Sequence, residues 1–350
     1  MTLRGWCVLD QTTIVFTAPG IAELQTQKVG ELKDNEVLLK TEYTVISPGT
    51  ERANLMGEKH IDGSNRNPTG PRFPKIKGYC GVGKVVQIGK DVTSVSVGDH
   101  AVIYFGIHSS YNLVPEDKVI PLDEKTVDLV QAAPTVLVHI ALGGVRMARF
   151  EVGESALIMG LGILGMYSVQ LCRMNGVCPV IAADPNPERR KIALSHGADY
   201  AFDPMDKDFP QQVLAVTGGK GVNGVIEVSG AAIALPQALE CVAPMGRVIL
   251  LGCTRENDIP TDYYHMVHFR GVQILGAHTF VRPERDSRPG YWTYRDECQT
   301  VLSLISHGRM RPADLIPEIR LPEEAREVFE RLAQRREFLL SVMFDWRDCE

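Results

Sequence analysis

The residues Gly160-Leu161-Gly162-Ile163-Leu164-Gly165 follow the apolar run Ala156-Leu157-Ile158-Met159 and open a helical pattern. This order of residue types suits the binding of phosphate. Gly160 makes the tight turn from strand to helix, Gly162 has no Cβ to keep a pyrophosphate from the backbone, and Gly165 lets the helix pack close to the strand. Ile163 and Leu164 begin the helix, whose first N–H groups and partial positive charge are offered to the anion. About 20 residues further on, a second apolar run ends in Asp184, the spacing expected of a dinucleotide site. An acidic side chain there accepts both ribose hydroxyls of NAD and repels the extra phosphate of NADP. Arg189, one turn into the next helix, can stack on adenine or meet a 2′-phosphate, which keeps NADP as the alternative. The plain alternative is a helix start with incidental glycines and Asp184 as a turn residue before Pro185.

The elements around this turn alternate. Strands are expected over 156–159, 180–183, 200–202, 222–228, 247–251 and 272–275, with helices over 163–175, 188–196, 209–216 and 233–241 between them. Short apolar runs separated by helices predict a doubly wound parallel sheet covered on both faces, an α/β Rossmann unit. Ligands of such sheets lie at the carboxyl ends of the strands. Val228, Ser229, Leu251, Gly252, Cys253, Gly276 and Ala277 sit at those ends and are the further cofactor-binding candidates; simple turn roles are the alternative for their glycines. The first third reads differently. It carries short strands over 37–46 and 81–89, a turn followed by a strand within 95–104, a long Gly- and Pro-rich loop over 61–74, and little helical pattern before residue 126. Helices are expected over 126–130 and 136–148. After Gly290 come two helical patterns, over 296–307 and 323–330, and a strand over 338–344.

The totals bound the class. A chain of 350 residues, 44% hydrophobic and 23% charged, is an ordinary globular chain long enough for two domains. A net charge of −6 disfavours a nucleic-acid partner and an anionic membrane surface. There is no apolar run long enough to span a bilayer, and Met1 to Trp6 lack the features of a secretory signal. The eight cysteines are scattered with no Cys-x-x-Cys pair. Reduced thiols in a cytoplasmic protein are therefore expected.

In this order of elements the chain resembles the medium-chain dehydrogenase/reductase superfamily, the zinc-type alcohol dehydrogenases. Gly78-Tyr79-Cys80-Gly81-Val82-Gly83-Lys84-Val85-Val86 is similar to the family's Gly-His-Glu-x-x-Gly-x-Val-x segment. Val97-Gly98-Asp99-His100-Ala101-Val102 is similar to its Gly-Asp-Arg-Val turn, Gly160 to Gly165 to its coenzyme loop, and His196-Gly197-Ala198-Asp199 to its Leu-Gly-Ala-Asp turn. The resemblance implies a GroES-like, β-rich substrate domain from both chain ends, residues 1–136 and 275–350, and a Rossmann domain over 137–274. A homodimer joined at the last strand of the parallel sheet is also expected.

The departures concern the metal. Zinc-using members bind it through Cys, His and a second Cys, with Glu nearby. Here Pro48-Gly49-Thr50-Glu51 stands where Cys-Gly-Thr-Asp is expected, or Ser47 in the place of the first Cys with a shift of one residue. Tyr79 replaces the His, Cys80 the Glu, and Thr135 falls near the second Cys. A catalytic zinc needs three protein ligands and an open position, so no metal is expected; a rebuilt site using His60, His108 or Cys80 is the alternative.

Without a Lewis acid, side chains must handle the proton that accompanies hydride transfer. Tyr79 is the first candidate, with a packed aromatic as the alternative. Thr50 falls at the family's proton-relay position, or caps a helix starting near Glu51. Glu51 is a base or a partner of Arg52. His139 falls where the family sets a residue against the nicotinamide, or is a satisfied core histidine. His108 lies in a loop expected beside the substrate, or is exposed. The reading is a zinc-independent, NAD(H)-dependent oxidoreductase of secondary alcohols, of polyol, sugar-like or other multifunctional kind. The alternatives are an NADPH-dependent quinone or enone reductase and an NAD-binding sensor or structural protein without turnover. The Arg- and aromatic-rich stretch 282–295 is either a wall of the substrate site or a solvated loop.

Overall fold

The structure is a computed structural model that describes residues 9–58, 72–254, 260–334 and 340–349. Residues Met1 to Trp6, Cys7, His60, most of the loop expected over 61–74, and Phe338 and Leu339 lie outside them. Two compact units account for the chain: residues 1–136 with 301–350, and residues 137–300.

The first unit is built on antiparallel strands. They are β1 (Asp10–Ala18), β2 (Ile21–Lys28), β3 (Glu36–Val45), β4 (Lys75–Ile76), β5 (Cys80–Ile88), β6 (His100–Tyr104), β7 (Tyr111–Pro115) and β8 (Val119–Leu122), with helix α1 (Pro48–Met56) after β3 and the short α2 (Leu129–Ala132) after β8. β2, β1 and β4 form a three-stranded sheet. The C-terminal residues contribute β15 (Glu318–Arg320), α9 (Ala325–Gln334) and β16 (Val342–Asp345), and β16 pairs with β3. The larger sheet runs β15-β16-β3-β5-β6-β8, with β7 also on β3. Its core joins both chain ends: Ile14, Phe16, Ile46 and Leu55 pack with Phe329, Phe344 and Trp346.

The second unit opens with helix α3 (Thr135–Ala148). Its strands β9 (Ala156–Met159), β10 (Val180–Ala183), β11 (Tyr200–Phe202), β12 (Val222–Glu227), β13 (Val242–Leu250) and β14 (Gln273–Gly276) make one parallel sheet in the order β11-β10-β9-β12-β13-β14. Helices α4 (Ile163–Met174), α5 (Pro187–Ser195), α6 (Phe209–Val216) and α7 (Ala234–Cys241) connect the strands, and α8 (Tyr294–Ser306) follows β14. The chain order reverses between β9 and β12, which makes a topological switch point. Met159 pairs with both Ala183 and Glu227, and Glu227 with Leu250, so the four central strands end level at one edge.

The fold is therefore α/β with a separate β-rich unit. Its second boundary comes later than the expected residue 275. β14 belongs to the parallel sheet, and Glu297 on α8 bonds to His139 on α3, so the second unit keeps residues up to Thr300. The expected helix over 126–130 begins later, at Leu129, where the Asp128 side chain accepts from the Gln131 N–H. The first third also holds a full helix, α1, and the strand pair β1 and β2, which the apolar pattern does not announce.

Candidate active site

At the level edge of the parallel sheet, Gly160 turns the chain out of β9 with φ +94°, a conformation open to glycine. A Cβ there would lie 2.7 Å from the Ser229 nitrogen. Gly162 is different. It caps α4 with φ −70° and ψ −174°, values any residue adopts. A Cβ on it would meet nothing within 4 Å. The protein's own packing gives no reason for a glycine at this position. A ligand resting on the backbone does, because the first turn of α4 has N–H groups without intrahelical acceptors. Gly165 has the packing reason instead, since a Cβ there would collide with the Gly160 carbonyl oxygen. Ile163 is buried beneath the turn and Leu164 partly so.

Asp184, just past β10, is buried. One carboxylate oxygen accepts from the Leu161 N–H at 2.8 Å, the other from the Asn186 N–H at 2.8 Å, and Arg189 lies 3.6 Å away. The side chain thus ties the glycine turn to the neighbouring strand, a task its spacing alone does not reveal. Val228 donates to the Met159 carbonyl at 2.8 Å and Ala277 to that of Leu250 at 2.9 Å. Leu251 is buried, Ser229 and Cys253 are exposed, and a Cβ on Gly276 would meet nothing within 4 Å. Pyrophosphate cradle, acidic residue and exposed turn residues all lie at the strand ends of one unit, which fits a dinucleotide.

In the first unit, four of the five catalytic candidates form one hydrogen-bonded group. Tyr79 donates to the Ser47 hydroxyl, and Thr50 also bonds to Tyr79. Glu51 accepts from the Ser47 N–H at 2.8 Å, and its other oxygen is 2.8 Å from His108 Nε2. His108 Nδ1 meets the Thr44 hydroxyl at 2.7 Å, which also accepts from the Trp346 indole at 2.8 Å. Three expectations are corrected here. His108 is neither exposed nor a lining residue but fully buried, held between Phe329 and Phe344. Glu51 pairs with His108 and not with Arg52, which bonds Glu58 instead. Thr50 does not cap α1, since Ser47 is the residue before the helix and Pro48 begins it. Sequence distance hides the Glu51–His108 pair, and the parts of Ser47 and Trp346 in it could not be inferred from spacing. Burial, joined by the charge of Glu51, raises the Tyr79 pKa above that of a free phenol, against the opposing hydrogen bonds from Ser47 and Thr50. Tyr79 therefore stays protonated through neutral pH. Replacing Glu51 with Ala would leave His108 and the Ser47 N–H facing a buried hole. The expected loss, read from urea unfolding, is about 3 kcal/mol.

The positions that correspond to zinc ligands do not suit the ion. Ser47 and Tyr79 are hydroxyls bonded to each other, Thr135 donates to the Ala132 carbonyl at 2.6 Å, and Cys80 donates to the Ala133 carbonyl at 2.9 Å. Zinc prefers thiolate, imidazole and carboxylate. Among the described residues no group of three or more His, Cys, Asp or Glu could hold a metal ion.

His139 belongs to the second unit. It is fully buried on α3, with Nδ1 3.2 Å from Glu297, which also binds Arg282 and has Arg146 3.9 Å away. Burial, reinforced by Arg282, pushes its pKa well below the usual value. A neutral, buried imidazole is a poor proton donor at pH 7. The 282–295 stretch is tied down as well: Arg146 stacks on Trp292 at 3.7 Å, and Arg149 and Arg288 flank Tyr291. Among the described residues no helix is long and apolar enough to cross a membrane.

The zinc-binding dehydrogenase family model matches residues 164–302. L-threonine 3-dehydrogenase of Pyrococcus horikoshii is 30% identical over 75% of this chain and 81% of its own. D-guloside 3-dehydrogenase of Escherichia coli is 27% identical over 87% of this chain and 91% of its own. A solved structure from Sinorhizobium meliloti 1021, bound to NADP, superposes with a TM-score of 0.79 over 96% of this chain and 99% of its own, at 21% identity.

Proposed function

Because this chain belongs to the medium-chain dehydrogenase/reductase superfamily and is an alcohol-dehydrogenase-like oxidoreductase, we propose that it interconverts a secondary alcohol and its ketone with NAD(H) and without a catalytic zinc. The observation that carries the cofactor reading is Gly162: open space and ordinary dihedrals at a glycine that only an approaching ligand explains. A bound nicotinamide supplies or accepts the hydride. The chain's own residues do the rest. Gly160 to Gly165 cradle the pyrophosphate at the start of α4, and Asp184 holds the adenosine ribose while keeping the turn in place. NAD is favoured over NADP because a 2′-phosphate would meet a buried carboxylate already occupied by two N–H donors.

Tyr79 is the proton donor in ketone reduction. Its hydroxyl is oriented by Ser47 and Thr50, and Glu51 and His108 hold the Ser47 end of α1 from below. A phenol of raised pKa suits donation to a developing alkoxide better than it suits abstraction. The substrate class follows the curated relatives, one named for an amino acid and the other for a glycoside, each a molecule with several polar groups around a secondary alcohol. A polyol or sugar-like alcohol is therefore proposed over a quinone or enone.

One experiment on the purified protein tests the cofactor and the metal together. Zinc content is expected to be well under about half an equivalent per chain. NADH is expected to bind about tenfold more tightly than NADPH in fluorescence titration. Stoichiometric zinc would remove the metal-free chemistry, and preference for NADPH would move the reading to the quinone or enone reductases.

A further inference from the structure

Glu227 is a carboxylic side chain at the end of the central strand β12, after the apolar pair Val225-Ile226. It is 1% exposed. Oε1 accepts from the Ser229 hydroxyl at 2.5 Å and from the Gly230 N–H at 2.9 Å, while Oε2 is buried without a hydrogen-bond partner among the described residues. Its main-chain carbonyl accepts the N–H groups of Leu251 and Gly252 at 2.9 and 2.8 Å. One residue thus holds two turns at the carboxyl edge of the sheet, those after β12 and β13. A third is reached by contact: a Cβ on Gly160 would lie 2.7 Å from the Ser229 nitrogen, and Met159 is the register partner of Glu227. Gly230 and Gly252 are equally close, since a Cβ on Gly252 would lie 2.7 Å from the Gly230 nitrogen and one on Gly230 2.8 Å from the Cys253 oxygen. The turns interlock with no slack. A shift of the Ser229-Gly230 turn must move Gly160 and, with it, the pyrophosphate cradle.

We propose that Glu227 is a positioning residue for the dinucleotide: its side chain clamps the Ser229-Gly230 turn against Gly160 and so sets the shape of the phosphate cradle. The proposal rests on the dinucleotide reading above. Burial raises the Glu227 pKa against the pull of the Ser229 and Gly230 hydrogen bonds. The clamp uses one oxygen, Oε1, and leaves Oε2 without a hydrogen-bond partner among the described residues. Shape and the accepting oxygen are then what matter, and charge is not. Glutamine has both.

The test is NADH fluorescence titration of the full chain, Glu227→Gln and Glu227→Leu, well below each melting temperature. The parent is expected to bind. Glu227→Gln is expected to bind within about threefold of it, and Glu227→Leu at least about tenfold more weakly, because the Ser229 hydroxyl and Gly230 N–H lose their acceptor. A residue serving only the general stability of the sheet would lower the melting temperature of Glu227→Leu and leave its affinity at the parent value; that result overturns the proposal. So does a glutamine variant as weak as the leucine one. Should Glu227→Leu fail to fold, Glu227→Asp, one methylene too short to reach Gly230, carries the same comparison: about fivefold weaker binding is expected and parental affinity refutes it. A parent that binds neither NADH nor NADPH removes the dinucleotide reading, and this proposal with it.

Discussion

Valine at position 162 is expected to abolish dinucleotide binding while leaving the protein folded. The two halves of that expectation have separate causes. Backbone dihedrals of −70° and −174° are within reach of a β-branched residue, and a Cβ there would touch nothing within 4 Å, so the melting temperature should move by no more than about 2 °C. The same open space is where a pyrophosphate must come down onto the first N–H groups of α4. A branched side chain standing in it holds the phosphates away from donors and dipole together. The loss should be about 100-fold or more in NADH affinity by fluorescence titration, which corresponds to about 2.7 kcal/mol. Gly165 gives the contrast. A side chain there collides with the Gly160 carbonyl, so its substitution damages the fold first. A Gly162→Val protein that binds NADH like the parent would leave the glycine turn without a ligand role.

Much of the second unit could be read directly from the sequence. Its strands are buried on both faces, so runs such as Ala156-Leu157-Ile158-Met159 and Val180-Ile181-Ala182-Ala183 stand out between helices, and glycines punctuate the turns. The first unit gave less. Asp10–Ala18 and Ile21–Lys28 mix Thr, Gln, Glu and Lys into strands whose pairing, not composition, makes them strands. The same holds for the catalytic candidates. Tyr79, Thr50, Glu51 and His108 were each visible as residue types, but the 57-residue separation of Glu51 and His108 concealed that they form one buried pair. His139 was visible too, and its partner Glu297, 158 residues away, was not. Glu227 did carry a signal that the apolar pattern alone passes over: one carboxylate in Val225-Ile226-Glu227-Val228 cannot be buried without partners. Local patterns report what a strand or turn must be, and pairs distant in the chain need the fold.

Removing one oxygen from Tyr79 is the second large effect. In Tyr79→Phe the ring keeps its stacked neighbour Phe105 at 5.6 Å, and only the hydrogen bonds to Ser47 and Thr50 are lost. Stability should fall by about 1 kcal/mol, the usual net value of such bonds. NADH affinity should change little, because the glycine turn and Asp184 keep their own hydrogen bonds in this variant. Turnover in ketone reduction should fall by about 100-fold, or about 2.7 kcal/mol of barrier, if the phenol delivers the proton. The direction of the pKa shift adds a signature. A phenol held above its usual pKa is protonated throughout neutral pH, so reduction by the parent should be flat there; alcohol oxidation needs the ionised form and should rise with pH into the alkaline range. Phenylalanine should erase that rise along with the rate. A mutant that keeps parental kcat in both directions would take Tyr79 out of the proton transfer and return the problem to the other groups around Ser47. Intact coenzyme binding with lost turnover, in contrast, would separate the hydroxyl's chemistry from the cradle's grip in a single protein.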